Sequence, residues 1–230
     1  MECRKRVNGW EGKDLFPVTI NFYEKNAEAY AALTVTADMS RAYEKFLAYL
    51  PHGAGILDAG LGAPDSVHAA RASIQILDAG CGSGRDSLFF MRQGYRVTML
   101  EASAAMCRCA EKLTGQKALH KTFAEIHFEK QFDGIWANAS LLHVPEQELE
   151  KVLKILHRAL KEGGVLYASW KYGEAERRDG ERFYCDMTEE KLKKLLRRTG
   201  CFVCEEVWVS EDVLPLHREQ PWLNVVLGKV

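Results

Sequence analysis

Short apolar runs alternate along this chain with apolar residues spaced three or four apart, a pattern that predicts strands and helices in turn. Asn21 to Leu33 and Thr36 to Leu50 read as two N-terminal helices, the second carrying Met39, Tyr43, Phe46, Leu47 and Leu50 on one side. Ile74, Ile76 and Leu77 supply a first strand, and Asp86-Ser87-Leu88-Phe89-Phe90-Met91 starts the helix after it. Gly94 punctuates that helix before Tyr95-Arg96-Val97-Thr98-Met99-Leu100 resumes as a second strand. Lys117 to Thr122 reads as the third strand and Phe132 to Asn138 as the fourth. Pro145 opens a helix with Leu149, Val152, Leu153, Leu156 and Leu160 on its core-facing stripe, Gly163-Gly164 ends it, and Val165 to Lys171 is the fifth strand. Thr188 caps the next helix, with Lys191 where a Glu or Gln would complete a capping box. Cys201 to Val209 and Trp222 to Leu227 close the sheet as the sixth and seventh strands. The sum is an α/β fold, a doubly wound seven-stranded sheet, mostly parallel with an antiparallel last strand, and helices on both faces.

The stretch from Gln75 to Asp86, Gln-Ile-Leu-Asp-Ala-Gly-Cys-Gly-Ser-Gly-Arg-Asp, runs from a buried strand through a glycine loop into a helix start. Gly80, Gly82 and Gly84 let the backbone turn tightly and approach a ligand without Cβ clashes. Glu101 ends the second strand, where its carboxylate can accept two hydrogen bonds from a ribose diol. This is the layout of a nucleotide-type cofactor cradle. The glycine spacing is Gly-x-Gly-x-Gly, with Asp78 two residues ahead, and not the Gly-x-Gly-x-x-Gly of dinucleotide enzymes. Upstream, Ile56-Leu57-Asp58-Ala59-Gly60-Leu61-Gly62-Ala63-Pro64 repeats the motif at an offset of twenty residues. Pro64 stands where Gly84 stands in the second copy, and only the second copy runs on into a helix and strand. The second copy is therefore expected in the sheet, with residues 56–75 an insertion and Pro64 to Ala72 a short surface helix.

The loop with Asp78 and Glu101 resembles the motif of class I S-adenosylmethionine-dependent methyltransferases. Phe132 to Pro145, with Leu166-Tyr167-Ala168-Ser169-Trp170-Lys171-Tyr172-Gly173, looks like small-molecule bacterial members, including the tellurite-resistance-like group. The resemblance runs from Asn21 to Val230 and implies a Rossmann-like domain over 51–230, preceded by a helical cap over 1–50. It implies S-adenosyl-L-methionine as cofactor, with Asp78 helping to hold the methionine end. Cofactor contacts are expected from Gly80, Cys81, Gly82, Ser83, Gly84, Glu101, Ala102 and Asn138, with Phe123 and Ala124 against an adenine ring. The Asn/Asp-Pro-Pro-Tyr/Phe motif of exocyclic amino methyltransferases is replaced by Ala137-Asn138-Ala139-Ser140, and no Pro-Cys loop follows. Nucleic acid is thus not indicated as a substrate, and a small-molecule acceptor is.

Methyl transfer from a sulfonium is an in-line displacement, so much of the catalysis can be positioning. Where the acceptor carries a proton, His143 after the fourth strand is the candidate base. Lys171 and Tyr172 are further catalytic candidates. Arg182 and Tyr184 are expected on the substrate side, because the stretch from Lys171 to Asp186 is a long polar loop over the site. Two other function classes fit the chain less well: a non-catalytic cofactor-binding or scaffold protein whose site the insertion has perturbed, and an NAD-type oxidoreductase.

Composition narrows the setting. At 230 residues and 47% hydrophobic, the chain suits one large domain, and its net charge of −1 offers no global attraction for nucleic acid. The basic clusters around Lys191 to Arg198 and at Arg177-Arg178 read as solvated faces. No apolar run approaches membrane length, and the N-terminus lacks a secretory apolar region, so a cytoplasmic monomer or homodimer without membrane contact is expected. Seven cysteines, an odd number, point to reduced thiols. Cys201 and Cys204 on a strand would face opposite sides, and Cys107 and Cys109 on a helix would point apart, so no metal site is expected.

Overall fold

A computed structural model of the protein describes residues 15–51, 70–214 and 220–230. Its centre is a seven-stranded sheet in the order β3-β2-β1-β4-β5-β9-β8. Strands β1 (Gln75–Ala79), β2 (Arg96–Glu101), β3 (Ala118–His120), β4 (Phe132–Ala137) and β5 (Leu160–Lys171) run parallel. The last strand, β9 (Trp222–Lys229), lies antiparallel between β5 and β8 (Phe202–Ser210). The chain order reverses between β1 and β4, which opens a crevice at the carboxyl ends of these strands. The expected Rossmann-like sheet is therefore present, down to the antiparallel final strand.

Among the described residues the helices are α1 (Leu15–Thr34), α2 (Ser40–Ala48), α3 (Arg85–Arg92), α4 (Ala104–Thr114), α5 (Glu146–Ala159) and α6 (Glu189–Thr199). The α5 stripe of Leu149, Val152, Leu153 and Leu156 is buried against one face of the sheet, with Leu77, Ile135, Leu166 and Trp170 in the same cluster. On the other face α2 inserts Tyr43 and Phe46, followed by Leu50 just past its end, beside Phe90, Trp136 and Tyr167. Trp136 and Tyr167 stack with centroids 4.0 Å apart. Gly134 of β4 is glycine because α2 sits on it: an added Cβ would meet Leu50 at 2.5 Å and Phe46 at 2.7 Å.

β1 is built from the second copy of the repeated motif. The first copy, and residues 56–69 of the predicted insertion, lie outside the described residues. The insertion's predicted end at residue 75 is too late. Ile74 is buried at 2% exposure, Gln75 opens β1, and the Gln75 N–H donates to Asp133 Oδ2 at 2.8 Å. Residues 70–73 form a helical turn leading into the strand.

Two other expectations change in detail. β5 starts at Leu160 rather than Val165, because Gly163 (φ +71°) and Gly164 sit inside the strand at a register shift against β4. The stretch from Lys171 to Asp186 is not an open loop. It folds into a hairpin of β6 (Glu176–Asp179) and β7 (Arg182–Cys185), turning at Gly180 (φ +61°).

Long-range hydrogen bonds hold α1 over the crevice. Thr19 Oγ1 accepts from the Phe183 N–H at 3.0 Å, and Glu24 Oε2 accepts from Ser103 Oγ at 2.7 Å and the Ala105 N–H at 3.0 Å. Helix α1 therefore bridges the hairpin to the start of α4. No helix among the described residues is long and apolar enough to cross a membrane.

Candidate functional site

The glycine loop is tied down by its own backbone. The N–H groups of Gly80 and Cys81 both donate to the Leu100 carbonyl, at 2.8 and 2.9 Å, and Gly84 N–H donates to the Cys81 carbonyl at 2.9 Å. The Gly82 N–H donates to Glu101 Oε2 at 3.0 Å, while Glu101 Oε1 accepts from the Ser103 N–H at 2.9 Å. Gly80 has φ +90°, and a Cβ there would fall 2.5 Å from Ser140 Cβ. Gly84 (φ +82°) serves packing, since its Cβ would meet Ala110 Cα of α4 at 2.9 Å.

Acidic side chains surround the loop. Burial pushes the Glu101 carboxyl up, against the pull of the Ser103 and Gly82 N–H groups. Asp78 is buried under the loop, where Ser87 Oγ donates to it at 2.5 Å. Burial and the neighbouring Asp86 raise its pKa to about 8. Burial works on Asp86 too, but Arg85 and the hydrogen bonds it receives hold it below the usual carboxylate range. Arg85 grips Asp86 through Nε at 2.6 Å and Nη2 at 3.0 Å. Tyr43 Oη (2.5 Å), Trp136 Nε1 (2.8 Å) and Asn138 Nδ2 (3.2 Å) also donate to Asp86. This carboxylate therefore joins α2, α3 and β4. Beyond it, Ser169 Oγ donates to Asn138 Oδ1 at 3.0 Å and accepts from the Ala139 N–H at 2.8 Å. Ala139 is held in the left-handed region, φ +50°, a strain of order 1–2 kcal/mol for a residue with a Cβ.

A cavity of about 200 Å³ opens at the carboxyl ends of the central strands. Of the predicted cofactor residues, Gly80, Cys81, Gly82, Ser83, Glu101, Ala102, Phe123 and Asn138 line it. Asp78, Gly84 and Ala124 do not: Asp78 lies under the loop, Gly84 packs on α4, and Ala124 is within the turn Phe123–Glu125.

A second cavity, of about 140 Å³, adjoins the first and is lined by Phe22, Lys171, Arg182, Tyr184 and Trp222 among others. Tyr23, Tyr30, Ala139 and His143 face both cavities. His143, Lys171, Arg182 and Tyr184 are thus brought together, whereas Tyr172 is set apart. The Tyr172 hydroxyl donates to Glu189 at the start of α6, 2.8 Å away, and its side chain lines neither cavity. Lys171 is committed as well. Its Nζ donates to Asp212 at 2.7 Å, both side chains are 4–5% exposed, and the Trp222 ring lies 4.1 Å beneath it.

His143 is enclosed. Burial lowers its pKa to about 4, so the ring is neutral at pH 7. Nδ1 lies 2.7 Å from the Phe183 carbonyl, which can only accept, so Nδ1 carries the proton. Nε2 is then an acceptor, and the Tyr23 hydroxyl donates to it at 2.9 Å. Tyr23, Tyr30, Arg85, Asp86 and Asp212 are the site residues that the sequence reading did not single out. Tyr23 and Tyr30, seven residues apart on one helix, lie on the same face, and that spacing was the available signal.

Residues 76–164 match the methyltransferase-domain family. A malonyl-[acyl-carrier protein] O-methyltransferase of Enterobacter lignolyticus is 37% identical over 101 residues, 42% of this chain and 39% of that protein. A cypemycin N-terminal methyltransferase of Streptomyces is 28% identical over 131 residues, 55% of this chain and 51% of that protein. The chain thus spans about two fifths to one half of the length of these curated relatives. Among solved structures, the Burkholderia thailandensis 1,6-didemethyltoxoflavin-N1-methyltransferase, with 1,6-didemethyltoxoflavin and S-adenosylhomocysteine bound, shares the fold with a TM-score of 0.71. The match is 21% identical and covers 98% of this chain and 93% of that one.

Proposed function

From the match of residues 76–164 to the methyltransferase-domain family, we propose that this protein is a class I methyltransferase that moves a methyl group from S-adenosylmethionine to a small-molecule acceptor. The observation that carries the reading is where the glycine loop sends its donors. A dinucleotide pyrophosphate is bound by free backbone N–H groups at such a loop. Here the N–H groups of Gly80, Cys81, Gly82 and Gly84 all point at protein oxygens, and the wall carries Asp86 and Glu101. A ligand with a sulfonium, an ammonium and a ribose diol suits that wall better than a diphosphate does.

Glu101 would hold the ribose. Its two oxygens offer about four lone-pair sites, and backbone N–H groups occupy two of them. Phe123 and Ala102 would flank the adenine, and Asn138, fixed by Asp86 and Ser169, would face the methionine end. Asp78 supports the loop from beneath through Ser87 rather than touching the ligand. The cofactor supplies an electrophilic methyl group on a positively charged sulfur. The chain's own part is to hold an acceptor in line, the main source of rate in such a displacement. Neutral His143 receives any acceptor proton only by way of, or in place of, the Tyr23 hydroxyl that covers Nε2. Lys171, locked to Asp212, serves structure and charge balance rather than proton transfer. The seven cysteines support a reducing, cytoplasmic setting.

The test is calorimetric titration with S-adenosylmethionine and S-adenosylhomocysteine, with NAD as control. Micromolar binding of the first two, and none of the third, is the expected result. NAD binding alone would replace this reading with the oxidoreductase one, and no binding of any would favour a scaffold.

A further inference from the structure

The smaller cavity has an unusual charge inventory. Lys171 and Asp212 neutralise each other at 2.7 Å, and His143 is neutral, which leaves Arg182 as the net charge on the wall. The Arg182 side chain is 12% exposed, and its nearest carboxylate, the half-exposed Asp179, is 3.4 Å from Nη2. The guanidinium carbon lies 4.8 Å from the Phe22 ring centre and 5.4 Å from that of Tyr184. Its buried Nε has no hydrogen-bond partner among the described residues. Leaving a buried charged donor unmet costs about 1–3 kcal/mol or more, so an anionic group bound in the cavity that Arg182 lines gains by meeting the guanidinium.

Size and wall chemistry set the rest. A cavity of about 140 Å³ is close to the roughly 150 Å³ that holds a benzene-sized ligand. Phe22, Tyr23, Tyr30, Tyr184 and Trp222 give it aromatic walls, which favour a flat, polarisable ring. His143 and Ala139, among others, line both cavities, so a ring held in the smaller one borders the larger.

Resting on the methyltransferase reading, we infer that the smaller cavity is the acceptor subsite and that it takes a single planar ring bearing a carboxylate or equivalent anionic oxygen group, held by Arg182. The guanidinium is the recognition group, and the ring stacks among the aromatic side chains.

Benzoate, benzamide and cyclohexanecarboxylate serve as probes, titrated into the full chain with and without saturating S-adenosylhomocysteine. Benzoate should bind at least tenfold more tightly than benzamide, which lacks the charge, and several-fold more tightly than cyclohexanecarboxylate, which lacks the flat ring. Arg182→Gln should abolish that preference while leaving S-adenosylhomocysteine affinity within twofold, since Arg182 does not line the larger cavity. Leu33→Trp, which fills the smaller cavity from another lining position while keeping the Arg182 guanidinium, should weaken benzoate at least tenfold and covers the case in which Arg182→Gln does not fold. Equal binding of benzoate and benzamide, or benzoate binding unaffected in either folded variant, overturns the inference. Failure of S-adenosylhomocysteine to bind counts against the cofactor reading instead, and the comparison of probes on the chain alone then decides the subsite separately.

Discussion

Glu101 holds two positions at once, and replacing it separates them. In the structure its carboxylate braces the loop through the Gly82 and Ser103 N–H groups, at 3.0 and 2.9 Å. In the proposed complex its remaining lone pairs also take the ribose diol. Each hydrogen bond to a charged acceptor is worth about 1.5–3 kcal/mol, so Glu101→Ala should remove about 3–6 kcal/mol of cofactor binding. That is a weakening of roughly a hundredfold to ten-thousandfold in Kd. The two orphaned N–H groups add a folding penalty at the low end of about 1–3 kcal/mol each, because the cavity beside them can admit water. Glu101→Gln, which keeps one acceptor oxygen, should fall between the wild type and alanine in both measurements. Calorimetry with S-adenosylhomocysteine reads the first effect, and urea unfolding at the same pH reads the second. A variant destabilised by about 2 kcal/mol whose affinity falls less than fivefold would refute the reasoning, since Glu101 would then be a brace for the loop and nothing more.

Asp86→Asn should destabilise the protein by about 3 kcal/mol or more, because Arg85 loses its buried counter-charge and Tyr43, Trp136 and Asn138 compete for one remaining acceptor oxygen; an unchanged urea midpoint would contradict this. Lys171→Met should cost about 3–5 kcal/mol by stranding buried Asp212, and the double change with Asp212→Leu should recover most of the loss, which a double-mutant cycle checks. His143 is held at a pKa of about 4, below its ordinary 6.5, so between these values the unfolded chain binds more protons than the folded one. Its contribution to stability is therefore complete above pH 6.5 and falls as the pH drops, by about 3 kcal/mol once below pH 4. Buried Asp78 and Glu101, raised by burial, act in the opposite direction, so the quantity to measure is the wild type minus His143→Gln across pH 4.5 to 7.5; a flat difference would refute the assignment of a neutral buried ring.

The sheet was legible because its strands are dense in buried apolar residues and its turns are marked by glycine. Ile76-Leu77, Val97 to Leu100 and Ile135-Trp136 can be satisfied only between two layers of helices, and their order along the chain leaves few topologies. The hairpin from Glu176 to Cys185 was not legible, because Glu-Arg-Arg-Asp carries no apolar alternation and its pairing partner supplies all the burial. Its two strands pair only with each other, and the hairpin is docked on α1, where Thr19 accepts from Phe183; local sequence does not encode such a contact. The same division runs through the site. Gly80, Gly82, Glu101 and Asn138 could be found because each sits at or just past the carboxyl end of a strand that the apolar pattern marks. Asp86 was visible only as a helix start, since the groups that make it a hub arrive from Tyr43 and Trp136, 43 and 50 residues away. Tyr23 lies 120 residues from the histidine it caps. Long separation also has a functional consequence. Helix α1, tied down through Thr19 and Glu24, supplies Tyr23 and Tyr30 to both cavities, so one helix contributes to the cofactor side and the acceptor side alike. Loosening that helix with Glu24→Ala, which strips the acceptor from Ser103 Oγ and the Ala105 N–H, should therefore weaken ligands of both cavities together, whereas Arg182→Gln weakens only one. If Glu24→Ala left the benzoate and S-adenosylhomocysteine affinities unchanged, α1 would be a passive cover and the two cavities independent.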